Sequence, residues 1–247
     1  MEYGHVPAFL LLSVLGLLAG TFSGIVGTGS SLVLMPVLVL LFGPQRAVPV
    51  MAVAAILGNA ARIAAWWREV DWRAWTAYSI TAIPAAALGA RTLLALPPRL
   101  VEGGLGIFFL LMIPATRWLT ARKLRLKTWH LVASGAFIGF LTGIVVTTGP
   151  INVPLFLACG LVKGAFLSTE AACSLGVYLS KAIAFRSFNA LPVEAVLKGC
   201  FVGLFLMLGQ FLAKRFVHRM KAETFRGTVD AMLVLSGVTL LWAAWRG

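Results

Sequence analysis

The sequence predicts an all-α polytopic membrane protein with two inverted repeats, each a re-entrant helical hairpin followed by three transmembrane helices. Three observations support this prediction. Of the 247 residues, 60% are hydrophobic and only 12% are charged, against about 45–50% and about 25% in soluble globular chains. The apolar residues form stretches of about the 20 residues that a spanning helix needs. The glycine and proline pattern of the first half also returns in the second.

Each repeat is expected to hold one interrupted apolar block and three uninterrupted helices. The first repeat, residues 1–120, is divided into the block 6–43 and the helices 47–67, 74–95 and 101–119. The second repeat, residues 121–247, is divided into the block 130–162 and the helices 165–186, 193–213 and 226–245.

The two interrupted blocks are predicted to be hairpins that enter the membrane and return. In each block the second arm, near 31–42 or 150–161, is too short to cross a hydrocarbon core of about 30 Å at about 1.5 Å per residue. The first arms, 8–26 and 130–147, are nearly long enough to span. A ten-crossing arrangement with paired full helices therefore remains open.

The internal repeat is visible in its glycines. Three glycines recur 119 positions later: Gly16, Gly20 and Gly24 at Gly135, Gly139 and Gly143. Within this match Ser23 stands against Thr142, and Gly89 matches Gly209 at an offset of 120. An offset held nearly constant over most of a chain indicates duplication, which is common among secondary transporters.

The net charge of +13 is interpreted as a signal of orientation, because loops rich in Lys and Arg stay on the cytoplasmic side. Two clusters hold five basic residues each: Arg117, Arg122, Lys123, Arg125 and Lys127, then Lys214, Arg215, Arg219, Lys221 and Arg226. If both are cytoplasmic, an even number of crossings separates them. With this even number of crossings, the two halves of the chain are predicted to have opposite orientations in the membrane. The N-terminus is predicted to lie on the non-cytoplasmic side.

The interruptions of the two blocks form the candidate binding site. A helix start leaves backbone N–H groups without intrahelical partners and carries the positive end of the helix dipole. Opposed hairpins would bring two such starts together, with Thr148 as a candidate cap of the second. Donors without fixed carboxylates predict a small-anion site; the alternative is a dry site whose tips cap each other. The candidate substrate-binding residues are Thr28, Gly29, Ser30, Ser31, Asn59, Arg62, Thr147, Thr148, Gly149, Asn152 and Lys181.

Two of these candidates, Arg62 and Lys181, are the basic residues deepest within the predicted helices. Charges inside membrane helices are costly and usually functional. Both residues also lie near helix ends, where snorkelling to the interface explains them about as well. Glu170 is expected to pair with Lys163, with proton relay as the alternative.

No enzymatic constellation is present, so we expect no catalytic residue, no metal and no cofactor. The three cysteines, Cys159, Cys173 and Cys200, lie in apolar stretches and are interpreted as buried small side chains. The expected partners are a small anionic substrate and the lipid bilayer, with no nucleic acid and with a homodimer left open.

The small-residue pattern resembles the sulfite exporter TauE/SafE family over nearly the whole chain. The resemblance rests on the stretch from Gly20 to Gly29 with Pro36 and Ala47 after it. Its second-half counterpart is Gly139 to Gly143, then Gly149-Pro150, Pro154 and Ala165 through Thr169. Both tips depart from the family's glycine runs, with Gly29-Ser30-Ser31 at the first and Thr147-Thr148-Gly149-Pro150 at the second.

The resemblance implies a secondary transporter, an exporter, of small sulfur-containing anions such as sulfite or organosulfonates in the bacterial inner (plasma) membrane. We expect alternating access around the tip site, with Arg62 and Lys181 attracting the anion. The alternatives are an anion channel and a non-transporting membrane-embedded enzyme or assembly factor.

Overall fold

The computed structural model describes residues 5–26, 29–121, 126–144 and 148–213, with isolated positions between 234 and 245. Within these ranges the chain is helical and holds no strand, so the fold is all-α, as the sequence predicts. The helices are α1 (His5–Val26), α2 (Ser30–Phe42), α3 (Pro44–Trp66), α4 (Trp72–Ala95), α5 (Pro98–Ala121), α6 (His130–Ile144), α7 (Gly149–Ala158), α8 (Lys163–Ser187) and α9 (Val193–Ala213), with a 3₁₀ turn at Trp67–Glu69.

The five uninterrupted helices predicted before residue 214 are α3, α4, α5, α8 and α9, and each boundary lies within three residues of its predicted position. The predicted helix 226–245 lies outside the described residues apart from isolated positions. The second basic cluster, and Arg122, Lys123 and Arg125 of the first, also lie outside them.

Both apolar blocks are broken into two helices. The second arms, α2 with 13 residues and α7 with 10, reach about 20 and 15 Å at about 1.5 Å per residue. The first arms differ from each other, because α1 has 22 residues and α6 has 15. Among the described parts of the two first arms, α1 alone has the length to cross a hydrocarbon core of about 30 Å.

By length and composition, two of the described helices qualify as membrane spans, Arg46–Glu69 and Val193–Ala213. Three shorter apolar helices belong to the two blocks: Leu10–Ile25, Val33–Phe42 and Thr128–Ile144.

The first helix of each broken block packs closely against a helix from the other half of the chain. The α6 glycines meet the α4 backbone in order, with Gly135 at Tyr78, Gly139 at Ala82 and Gly143 at Ala86. The same order along both helices means that α4 and α6 run parallel. A methyl group added at Gly139 would overlap the Ala82 carbonyl, so glycine is required by the close approach.

The packing of α1 on α9 has the same form. Gly20 of α1 lies on the backbone of Leu206, and Gly24 lies on Gln210 and Ala213. Gly209 of α9 lies in turn on the backbone of Leu17 and Gly20, so these helices also run parallel.

The remaining helix directions follow from ordered contacts. Gly199 and Gly203 of α9 meet Val50 and Ala54 of α3, which makes α3 and α9 parallel. The Trp75 Nε1 donates to the Ala172 carbonyl and the Ser180 hydroxyl donates to the Ile83 carbonyl, so α4 and α8 are parallel.

The two sets of helices are opposed. Glu69, just after α3, lies at Gly164 in the first turn of α8, whereas Arg62, two turns earlier, contacts Glu170 further along α8. This reversed order makes α3 and α8 antiparallel. Thus α1, α3 and α9 run one way, and α4, α6 and α8 run the other.

We expect Gly139→Ala to destabilise the protein by about 1–3 kcal/mol, because the methyl group must push α6 away from α4. Gly104→Ala is the matched control, since an added Cβ at that helical glycine meets nothing within 4 Å. Thermal unfolding of the purified full-length protein in detergent measures both. A midpoint for Gly139→Ala equal to that of Gly104→Ala would contradict the close contact.

Candidate functional site

One cavity, with a volume of ≈ 30 Å³, is lined by the residues at the two breaks, Gly29-Ser30 at the first tip and Thr148-Gly149 at the second. At about 10–15 Å³ for each water-sized guest, it has room for about two such guests. Its lining residues are Ser23, Gly29, Ser30, Ser31, Ala55, Asn59, Arg62, Tyr78, Thr142, Thr148, Gly149, Asn152, Glu170, Ser174, Val177 and Tyr178. These belong to α1–α4 and α6–α8, so both halves of the chain build the wall.

The first tip depends on the backbone of Gly29, whose φ of 110° lies in the left-handed region. A Cβ at this position would also lie 2.8 Å from a ring carbon of Phe22. The turn directs the start of α2 at the cavity, and its N-cap residue has no side chain to cover the first N–H groups. Ser31, in the first turn, is buried and hydrogen-bonds to the side chain of Tyr178.

The second tip differs from the prediction that Thr148 caps α7. Thr148 occupies the N-cap position without a side-chain bond to the helix, and its hydroxyl hydrogen-bonds to that of Thr142 instead. Its ψ of 14° departs from the extended backbone of ordinary N-caps, and the Thr142 hydroxyl is close by on α6. One turn further along α7, the Asn152 side-chain oxygen accepts from the Tyr78 hydroxyl at 3.3 Å.

A buried ion pair connects α3 and α8 at the cavity wall. The Arg62 Nη2 lies 2.8 Å from the Glu170 Oε2, and the two side chains are 5% and 3% exposed. The same guanidinium nitrogen donates to the Asn59 Oδ1. The Ser174 hydroxyl donates to the Glu170 Oε1 at 2.7 Å, so both carboxylate oxygens are engaged.

This pair corrects two expectations. Glu170 pairs with Arg62 rather than Lys163, whose side chain lies outside the described part of the structure. Lys163 and Glu170 are seven positions apart on one helix, beyond the three or four at which helical side chains meet. The expectation of donors without a fixed carboxylate is also wrong, because Glu170 lines the cavity.

Lys181 lies behind the cavity wall and is fully buried. Its Nζ donates to the backbone carbonyl of Thr142. That carbonyl lies two residues before Ile144, the last described residue of α6. A lysine at a helix C-terminus is electrostatically favourable, so Lys181 supports the second tip from outside the cavity. Neither Arg62 nor Lys181 snorkels to the surface.

The structure brings eight of the eleven predicted site residues to the cavity: Gly29, Ser30, Ser31, Asn59, Arg62, Thr148, Gly149 and Asn152. Lys181 is adjacent, while Thr28 and Thr147 lie outside the described residues.

Sequence reasoning missed several lining residues. Ser23 and Thr142 occupy the same position in the two repeats, 119 apart, and that signal could have found them. Tyr78 and Tyr178 had no comparable signal, because only the packing of α4 and α8 turns them toward the tips. The three cysteines are free thiols, and none of them is among the residues of the cavity wall.

The arrangement is suited to a small polar guest. Arg62 and Glu170 are the charged members of the cavity wall as the structure describes it. Around them stand the side chains of Ser23 and Ser30 and two helix starts. Such donors and positive helix ends bind anions. The Arg62 guanidinium, which an anion would contact, is already paired with Glu170.

The family comparison matches almost the entire chain. The family described as "Sulfite exporter TauE/SafE" matches residues 12–240, a range that contains both tips. Among curated proteins and solved structures, no significant match to the chain was found. With the family match extending over nearly its full length, the chain belongs to the sulfite exporter TauE/SafE family of membrane transporters.

Proposed function

We propose that the protein is a secondary transporter that exports small sulfur-containing anions such as sulfite across the bacterial inner membrane. The observation that carries the proposal is the single cavity shared by two half-helix starts and a buried arginine. The transporter family to which the chain belongs supports the same substrate class.

The chemistry of the wall favours an anion. The starts of α2 and α7 face the cavity, and neither helix is capped by the side chain of its N-cap residue. Helix starts attract negative charge through their N–H groups and dipoles. The hydroxyls of Ser23 and Ser30 can donate to oxyanion oxygens without adding charge, whereas the Thr148 hydroxyl is bonded to that of Thr142.

The arrangement of the two halves supports alternating access. Helices that correspond in the sequence repeat run in opposite directions: α1 and α6, α3 and α8, and α4 and α9. This supports an inverted repeat with the site at its interface, where transporters of this kind hold their substrates. Each hairpin also packs on a helix of the other half, so relative movement of the halves would move the tips.

The volume of the cavity favours a compact anion. About 30 Å³ suits sulfite better than a bulkier organosulfonate, because space for about two water-sized guests leaves none for an added carbon skeleton. Larger sulfonates would need a more open conformation.

We expect proteoliposomes containing the protein to exchange labelled sulfite with saturable kinetics. Thr148→Val should raise the KM for sulfite up to about tenfold, because it removes the hydroxyl that bonds the second tip to Thr142, an interaction worth about 1–1.5 kcal/mol. Thr76→Val is the matched control, since the Thr76 hydroxyl is exposed and bonds within its own helix. A panel of small anions, flux-assayed with both variants, provides the measurement.

Each alternative predicts a different result in that assay. No transport of any anion by the wild type would overturn the proposal and leave an enzyme or assembly factor. Flux that carries current without saturating would indicate a channel through the same tips. An unchanged KM in Thr148→Val would remove the second tip from the site.

Variants of the buried Arg62 can distinguish its contribution to stability from its contribution to transport. Arg62→Gln should abolish sulfite transport and destabilise the protein by about 3–5 kcal/mol, because Glu170 is left buried without a counter-charge. The double variant Arg62→Gln/Glu170→Gln should recover thermal stability without recovering transport. Recovery of transport in the double variant would show that Arg62 supports the fold alone.

A further inference from the structure

The ion pair at the cavity wall presents an obstacle to the anion. Arg62 is already compensated by Glu170, 2.8 Å away, and both line the space that the anion would occupy. Like charges a few ångströms apart repel far more strongly in an enclosed site than in water. An anion that binds beside an ionised Glu170 would therefore meet a competitor for Arg62 and a repelling neighbour.

We infer that Glu170 releases Arg62 by taking up a proton, so that the anion and one proton bind together. This inference rests on the proposed transport function and names its coupling ion. A proton from water adds to a Glu170 carboxylate oxygen, the Arg62–Glu170 bond breaks, and the guanidinium donates to an oxygen of the anion. For a monovalent anion the formal charge of the cavity is unchanged.

Among the groups around Glu170, Arg62 is the partner whose contact with the carboxylate can be lost to a bound anion. On α8 itself the Ser174 hydroxyl holds the Oε1, Cys173 and Tyr178 are neutral neighbours, and Lys181 is committed to the Thr142 carbonyl. From α4 the cavity receives Tyr78, and from α6 it receives Thr142.

The other elements packed on α8 add no second cation to the wall. The described part of α7 contributes uncharged residues to the cavity, and α3 contributes Arg62 with Asn59. The 3₁₀ turn before α4 carries Arg68 and Glu69, both exposed, with Glu69 at Gly164 near the start of α8. When Glu170 loses its contact with Arg62, its negative charge must therefore be neutralised by protonation of the carboxylate itself.

The test measures sulfite affinity against pH for the purified full-length wild type, Glu170→Gln and Glu194→Gln. Wild-type affinity should depend on pH more steeply than that of Glu170→Gln, by up to about tenfold per pH unit, since one proton accompanies each anion. The ionisation of sulfite itself is common to all three and cancels in the comparison. Glu194→Gln removes an exposed carboxylate paired with Lys198 and should match the wild type.

The outcomes separate the two proposals. Equal pH slopes for wild type and Glu170→Gln, with sulfite still bound, would overturn the proton coupling and leave the transporter in place. No sulfite binding by the wild type would overturn both.

A second measurement covers the case in which Glu170→Gln fails to fold. The infrared difference spectrum of the wild type should gain the band of a protonated carboxyl group when sulfite is added. In Glu170→Asp that band should shift. Absence of the band from the wild type would overturn the inference.

Discussion

The architecture depends on the close backbone contact between each hairpin and a helix of the other half. Without side chains at Gly139 and Gly143, α6 lies directly on the backbone of α4. Gly20 and Gly209 allow the same approach between α1 and α9. These contacts hold each first helix against the other half of the chain and so place the neighbouring tips. The position of the cavity is in this sense decided by residues that do not line it.

Within that frame, the Arg62–Glu170 pair joins the two halves where they face each other. Desolvating two charges costs several kcal/mol per ion, and their attraction in the interior offsets this only with good geometry and further hydrogen bonds. Asn59 and Ser174 supply those bonds here. The proposed exchange of Glu170 for another anion requires an interaction of such modest net stability, which a well-packed apolar contact in the same place would not provide.

Much of this arrangement was predictable from the sequence, because it depends on local rules. The glycine-containing interruptions indicated that both apolar blocks would be broken, and the short helices after the breaks followed from length alone. Polar residues at the tips, such as Ser31 and Asn152, were found because polar groups in an apolar block need a reason to be there.

The rest depended on long-range packing. Glu170 was assigned to a neighbour in sequence, whereas its partner lies 108 positions away on α3. Tyr78 and Tyr178 reach the cavity through the rotation of their helices, which hydrophobic periodicity does not specify in segments that are apolar on most faces. Thr148 was interpreted as a cap because of its position before a helix, but the nearby Thr142 offered its hydroxyl a different partner.

The buried ammonium group of Lys181 has a consequence for the field inside the cavity. Every hairpin tip joins the C-terminal end of one helix to the N-terminal end of the next, and these two ends carry opposite partial charges. Left alone, the negative pole of α6 would oppose the positive pole of α7. By bonding the Thr142 carbonyl, Lys181 neutralises the first pole and leaves the second to act. A side chain outside the cavity wall thereby favours the positive pole of α7, which faces the cavity.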